Sequence, residues 1–265
     1  MTGAAGAVPP ALAVEPTAEP LVDPIFISDL HLNSERPRTI ARFLRFMRED
    51  APGHPELVVL GDLFEFWIGD DAGAAAAPVI AALAAASASG QRVLLMHGNR
   101  DMLLGRDFAH AIGGRLLADP LVLEIAGTRT LLSHGDAWCT RDAAYQQFRA
   151  MVRQPDFQRG FLAKPVAERI AVARAARMQS ETEKAVKATD IMDVTPEAIV
   201  AALASAGVER LIHGHTHRPG VHVHEARGRR VERWVLPDWD CDSAEPRGGF
   251  LDFTEGHPRL VFFDD

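Results

Sequence analysis

The sequence predicts an α/β fold in which two sheets pack face to face and a helical insertion interrupts the strand pattern. Three observations predict it. Short apolar strand patterns alternate with helical ones through the first half of the chain. Five such strands run straight into a residue able to bind a metal, in IFISDLH, LVVLGD, VLLMHGN, TLLSHGD and RLIHGHTH. The strand rhythm stops after the fourth of these and resumes with the fifth. A lone GD occurs by chance in many proteins, whereas five ordered junctions do not.

Residues 1–23 are rich in Ala and Pro, lack basic residues ahead of an apolar run and are broken by Glu15, Pro16, Glu19 and Pro20. They read as a disordered tail and not as a signal peptide. One domain, 24–265, follows. Strands are expected at Pro24–Ser28, Leu57–Leu60, Arg92–Met96 and Arg129–Ser133. Ile40, Phe43, Leu44 and Met47 share one face of a helix over Arg38–Glu49, and the Ala-rich stretch Ala72–Ser89 predicts another helix. From Asp142 to about Asp193 only helical stretches occur, broken by Pro155, Gly160 and Pro165, which places an insertion over the mouth of the site. Within it Arg149, Arg153, Arg159, Lys164, Arg169, Arg174 and Arg177 outnumber Asp156 and Glu168, a balance suited to an anionic, partly apolar ligand. Thr195–Gly207 reads as a capped helix with Thr195 at the N-cap, Pro196 at the first helical position and Glu197 in the first turn. A strand at Glu209–Ile212 leads into HGHTH. Val221–Glu225, Val231–Leu236, Phe250–Phe253 and Leu260–Phe263 then predict a second, more antiparallel sheet.

Composition bounds the function. Hydrophobic residues make up 47% and charged ones 24%, an ordinary globular balance, and the net charge of -8 argues against a protein that coats nucleic acid. The two cysteines, Cys139 and Cys241, have no CxxC spacing, so a disulfide framework is not expected and a reducing compartment fits. Without an apolar run of about 18 residues, a transmembrane helix is not expected either.

The five junctions supply Asp29, His31, Asp62, Asn99, His134, His215 and His217. Asp29 and His31, like His215 and His217, lie two apart, which in extended backbone turns both side chains to one side. Carboxylate, imidazole and amide without thiolate favour Mn²⁺, Fe²⁺, Zn²⁺ or Mg²⁺. Asp62, between the paired groups, is the expected bridging carboxylate of two adjacent metals. Such a pair generates hydroxide near neutral pH and clamps phosphoryl oxygens, so hydrolysis of a phosphate ester or anhydride is the chemistry it serves best. His97 and His213 each precede a motif glycine and are expected to hydrogen-bond behind the ligands.

The ordered set DLH, GD, GNRD, HGD and GHTH, over about 24–220, resembles the calcineurin-like metallophosphoesterase superfamily. The resemblance implies a four-layer αββα sandwich carrying a dimetal centre. More closely, GDLFEFWIGDD, HGNRDMLLG, HGDAWCTRDAAYQQFR, IMDV and HGHTHRP resemble the UDP-2,3-diacylglucosamine diphosphatase family of lipid A biosynthesis. That implies an enzyme with two Mn²⁺, peripheral on the cytoplasmic face of the inner membrane, which cleaves UDP-2,3-diacylglucosamine to UMP and 2,3-diacylglucosamine 1-phosphate by metal-hydroxide attack on the α-phosphorus. It implies metal ligation by the seven residues above, catalytic roles for Asn99, Arg100 and His215, and substrate contacts from Asn99, Arg100, Asp142, Ser180, Lys184, Lys187 and His215. The helical insertion becomes a chamber for acyl chains along Phe148, Met151, Val152, Phe157, Phe161, Leu162, Val166, Ile170 and Met178. The chain departs from the family at Lys184, where asparagine is frequent, and in DWDCDSAEPRGG after Pro237.

Many metallophosphoesterases carry histidine at the place of Arg100, where it protonates a basic leaving group. Arginine stays charged and suits a departing phosphate, already a weak base. Competing expectations are a dinucleoside polyphosphate hydrolase, which needs no apolar lid, and a non-catalytic scaffold, which would tend to lose ligands. A protein phosphatase would carry an Arg-Gly pair after GD, and none follows here.

Overall fold

The computed structural model describes residues 13–14, 19–186 and 193–263, with 13–14, 181 and 183–186 described by backbone alone. In chain order, β1 (Ala13–Val14) and β2 (Ile25–Ile27) precede α1 (Pro37–Glu49), β3 (Glu56–Leu60) and α2 (Ala77–Ala88), the last entered through a 3-10 segment at Asp70–Ala76. β4 (Arg92–Met96), α3 (Arg106–Ala111), β5 (Arg115–Leu117), β6 (Leu121–Ile125) and β7 (Thr128–Leu132) follow. The insertion is helical throughout its described length: α4 (Ala143–Val152), α5 (Pro155–Leu162) and α6 (Val166–Val186). Then come α7 (Pro196–Ala206), β8 (Arg210–His213), β9 (Gly220–Ala226), β10 (Arg229–Val235), β11 (Gly249–Thr254) and β12 (His257–Phe262).

Two mixed six-stranded sheets result, ordered β12-β11-β2-β3-β4-β5 and β1-β6-β7-β8-β10-β9. Alternation along each strand sorts its side chains between layers. Ile25, Ile27, Leu57, Val59, Val93 and Leu95 meet Phe43 and Phe46 of α1, Leu83 of α2 and Phe108 of α3. Their neighbours Phe26, Val58, Leu60, Leu94 and Met96 point the other way, onto Leu121, Leu123, Leu132 and Ile212 of the second sheet. Val122, Leu131 and Leu211 face outward again, beneath Ile199 and Leu203 of α7. The four αββα layers are therefore written as alternating residues in the inner strands. Because β2, β3 and β4 are buried on both faces, they read as unbroken apolar runs.

Several expectations are corrected. The tail assigned to 1–23 contains ordered chain: Ala13–Val14 pairs in parallel with Leu121–Val122, and Leu21 is fully buried between the sheets. An apolar side chain with a vacant place at the sheet edge packs there, whatever the polarity of its neighbours. The sheets also do not divide by sequence half. β11 and β12 extend the first sheet antiparallel to β2, while β6 and β7 open the second. Thr195 begins α7 as expected, and Gly207 ends it in left-handed backbone, but Thr195 makes no side-chain cap. Its hydroxyl instead accepts a hydrogen bond from Thr140.

The helical run Asp70–Ala88 is long and apolar enough to cross a membrane by length and composition, with a mean hydropathy of 1.4. Alanine raises that value without supplying much apolar bulk, and Val79 and Leu83 of this run are buried against the first sheet.

The insertion's basic residues are mostly turned inward or paired. Arg149 of α4 and Arg153 just past its end reach Asp136 at 2.9 and 3.3 Å, and Asp119 at 3.7 and 3.8 Å. Arg169 binds Asp71 and the carbonyl of Ile68, Arg177 pairs with Glu65, and Arg159 and Lys164 pair along the helices with Asp156 and Glu168. The expected cationic face is thus largely a set of anchors. The helices also expose apolar side chains, Phe148, Met151, Phe157, Leu162, Val166, Val172 and Met178, whereas Val152 is buried.

Phe26 is buried between the sheets against Phe253, with ring centroids 5.8 Å apart. Phe26→Ala is expected to cost about 3–5 kcal/mol in denaturant unfolding. Val223→Ala, on an exposed strand face, is expected to shift it by less than about 0.5 kcal/mol.

Candidate metal centre

β2, β3, β4, β7 and β8 all end at one edge of the sandwich, and the candidate ligands sit just beyond their carboxyl ends, where α/β sheets gather ligands. Hydrogen bonds hold the turns to each other. Asp29 N–H donates to Gly61 O and His31 N–H to Asp62 O, at 3.1 and 3.0 Å. Contacts also cross between the sheets: His215 N–H donates to Asp29 Oδ2 at 2.8 Å, and His134 Nδ1 lies 2.9 Å from Leu60 O. Asp101, fully buried, gathers the backbone N–H groups of Leu63 and Gly98 at 2.8 Å and of Asp62 at 3.3 Å.

The paired ligands are not presented by extended backbone, as the i, i+2 spacing suggested. Asp29, His31, Asp62, His215 and His217 have φ of 56°, 51°, 52°, 67° and 53°. This left-handed conformation is costly for non-glycine residues and persists where surrounding contacts enforce it. Here those contacts are the turn-to-turn hydrogen bonds. The turns also need glycine for close approach: a Cβ on Gly98 would collide with Asp62 Oδ1, and one on Gly214 with Ser28 Oγ and Asp29 Oδ2.

Two triplets of donor atoms result. His31 Nε2 lies 3.4 Å from His217 Nε2, which lies 3.5 Å from Asp29 Oδ1. Asn99 Oδ1 lies 3.1 Å from His134 Nε2 and 3.0 Å from His215 Nδ1. Ligand bonds of about 2.0–2.2 Å put neighbouring donors roughly 3.0–3.5 Å apart, so both triplets have the spacing of a shared cation. Between them Asp62 Oδ2 is 3.9 Å from His31 Nδ1 and 3.7 Å from His134 Nε2, which suits a bridging carboxylate. Among the described residues Asp29 is common to both acid–histidine clusters, and its buried Oδ1 has no hydrogen-bond partner there.

Electrostatics point the same way. Burial pushes Asp62 up to about 7 against the pull of His134, with Asp101 and Asp29 adding to the rise. Burial opposes a charge on His134, but Asp62, Asp29 and Asp136 outweigh it and raise its pKa to about 9. Burial would also raise Asp29, yet His217, 3.5 Å from its Oδ1, and the His134 charge hold it below the carboxylate range. Burial, followed by the His134 charge, lowers His215 to about 3. Two carboxylates in one buried pocket demand positive charge. Divalent cations would supply it. The residues fit a two-metal centre.

The calcineurin-like phosphoesterase family model matches residues 25–219. The chain belongs to that family. A protein of Bordetella pertussis named UDP-2,3-diacylglucosamine hydrolase is 50% identical over 228 residues, covering 84% of this chain and 88% of its own. A relative of the same name from Ralstonia nicotianae is 48% identical over 259 residues, covering 91% of this chain and 95% of its own. One from Stenotrophomonas maltophilia is 49% identical over 223 residues, with coverage of 81% and 90%.

In this phosphoesterase the seven expected ligands converge. Arg100 is half-buried beside them: its backbone N–H donates to Asp62 Oδ1 at 2.8 Å, and its charge acts on both His31 and Asp62. Asp142 caps α4, accepting from Tyr145 N–H at 3.1 Å. Ser180 is half-buried on α6. Lys184 lies on the same helix with its side chain outside the described residues, and Lys187 lies outside them altogether. His97 binds Leu104 O at 2.8 Å, bracing its own loop. His213 is buried and held neutral by burial and by Arg233, whose guanidinium is 3.3 Å from His213 Nε2.

The sequence reading passed over four residues that serve the centre. Asp101 orients two of the turns, and Tyr145 stacks on His215 with centroids 5.9 Å apart while donating to Asp136. Glu65 and Asp238 approach His31 and His217. Asp101 carries a local signal as the last residue of GNRD, and Glu65 and Tyr145 lie inside GDLFEFWIGDD and HGDAWCTRDAAYQQFR.

Gly98→Ala would push Asp62 out of place. Manganese affinity measured by calorimetry is expected to fall at least tenfold with the circular dichroism spectrum retained. Unchanged affinity would mean that Asp62 is not held by this close approach.

Proposed function

We propose that the chain hydrolyses the diphosphate of UDP-2,3-diacylglucosamine to UMP and 2,3-diacylglucosamine 1-phosphate, a step of lipid A biosynthesis, with two Mn²⁺ as the working metals. The carrying observation is the convergence of two donor triplets around Asp62 at the strand ends, beneath helices that expose apolar side chains. The relatives' shared name, over most of both chains, supports the substrate.

Asp29, His31 and His217 would hold one cation and Asn99, His134 and His215 the other, with Asp62 shared. When bound, such a pair supplies an activated water and charge neutralisation on the phosphoryl oxygens. The protein's own groups do the rest. Asn99, Arg100 and His215 line the place where the diphosphate enters and orient its oxygens for in-line displacement. Arg100 keeps its charge throughout, so it stabilises a departing sugar phosphate without giving up a proton. Phe148, Met151, Phe157 and Met178 offer apolar contact to the acyl chains. The same surface suits peripheral binding at the cytoplasmic face of the inner membrane.

The test is UMP release from UDP-2,3-diacylglucosamine by chelator-stripped protein with manganese restored. Activity is expected only with metal, and Asp62→Asn is expected to lower kcat by at least about 10²-fold. Activity that survives both chelation and Asp62→Asn would overturn the reading. Comparable turnover of diadenosine polyphosphates would favour a dinucleotide hydrolase instead.

Arg100→Ala is expected to reduce kcat about 10²–10³-fold, and Arg100→His is expected to fall short of full activity. Steady-state rates on the diacyl substrate measure both.

A further inference from the structure

We infer that Glu65 and Asp238 are positioning residues that fix the imidazoles of His31 and His217, each carboxylate being itself tethered by an arginine. The inference rests on the two-metal reading and concerns only the triplet of Asp29, His31 and His217.

His31 and His217 turn their Nε2 atoms toward each other, 3.4 Å apart. Their opposite nitrogens face carboxylates: His217 Nδ1 is 3.3 Å from Asp238 Oδ2, while His31 Nδ1, which has no hydrogen-bond partner among the described residues, lies 3.6 Å from Glu65 Oε2 and 3.9 Å from Asp62 Oδ2. Both acids are buried, at 8% and 4% exposure. Each is also paired with a cation. Arg177 of α6 pairs with Glu65, and Arg247 donates from Nε and Nη2 to Asp238 Oδ2, both at 2.9 Å. The pattern is therefore duplicated: arginine, carboxylate, imidazole, converging from two sides on Asp29.

An imidazole that offers Nε2 to a cation must carry its proton on Nδ1, and an acceptor behind that N–H fixes both the tautomer and the ring plane. The other two histidines are oriented differently. His134 is fully buried with Nδ1 on the Leu60 carbonyl, and His215 is stacked under Tyr145. Of the four histidines only His217 is exposed, its side chain 35% accessible against 11% for His31. A charged acceptor behind each ring supplies a restraint beyond packing. Glu65 and Asp238 lie on the Nδ1 sides of the rings, away from the Nε2 atoms that face one another. Asp238 comes from the segment after Pro237, where the sequence leaves its family's pattern.

The experiment is calorimetric titration of the chelator-stripped full chain with Mn²⁺ alone. Two binding steps are expected for the unaltered protein. Glu65→Ala and Asp238→Ala should each weaken one step about 10–100-fold and leave the other unchanged. Glu65→Gln and Asp238→Asn, whose amide oxygen still accepts from Nδ1–H, should recover most of that loss. Circular dichroism of the stripped variants checks the fold. Should an alanine variant not fold, Arg177→Met or Arg247→Met replaces it, with several-fold weakening of the same step expected. The inference is overturned if the alanine variants bind both equivalents normally, if both steps weaken together, if the amide variants are no better than alanine, or if the substituted methionine variants bind normally. An unaltered protein that binds fewer than two equivalents would remove the two-metal reading itself.

Discussion

Two carboxylates, Asp29 and Asp62, are buried at the edge where both sheets end, and their charge has no route to water. Desolvation of an unpaired carboxylate is costly enough that the surroundings must neutralise it. The strand-end turns answer that need. They bring four histidines and an asparagine into two groups whose donors lie about one ligand-to-ligand spacing apart, and among the described residues they leave Asp29 Oδ1 with no hydrogen-bond donor. The left-handed backbone at five of the seven residues is a cost that only packed sheets with locked turns can sustain.

The surrounding structure serves this geometry at increasing distance. Asp101 ties the turn after β3 to the turn after β4, so that Asp62 and Asn99 move as a unit. Asp136 collects Tyr145, Arg149 and Arg153, which fastens the first insertion helix to the turn carrying His134. Burial would raise Asp136, but the two arginines and His134 hold it well below the usual carboxylate range, so this anchor stays charged.

Much of this was legible in the sequence, for physical reasons. Strands buried on both faces are continuous apolar runs, so β2, β3 and β4 announced themselves, and each ended in its ligand motif. The partners of those strands did not show. Alternation states which faces are buried but not which edge is covered, so β11 and β12 were assigned to the wrong sheet. Leu21 was lost in a polar, Pro-rich context although the structure buries it. The backbone at Asp29 and His31 was also misjudged, because an i, i+2 spacing is compatible with both extended and left-handed chain. The basic residues of the insertion suggested a cationic surface, since their partners Asp71, Asp119, Asp136 and Glu65 lie far away in sequence or across a turn.

The inward-turned arginines of the insertion separate two properties of the molecule. Because Arg149, Arg153 and Arg169 bind backbone and carboxylates of the core, the position of the cap does not depend on its outward side chains. Phe148, Met151, Phe157 and Met178 can therefore be exchanged for larger or smaller apolar residues while the ligand turns keep their places. Under the proposed function, tail-length preference and reaction chemistry would be independently variable traits, one set by the outer face of three helices and the other by the ends of five strands.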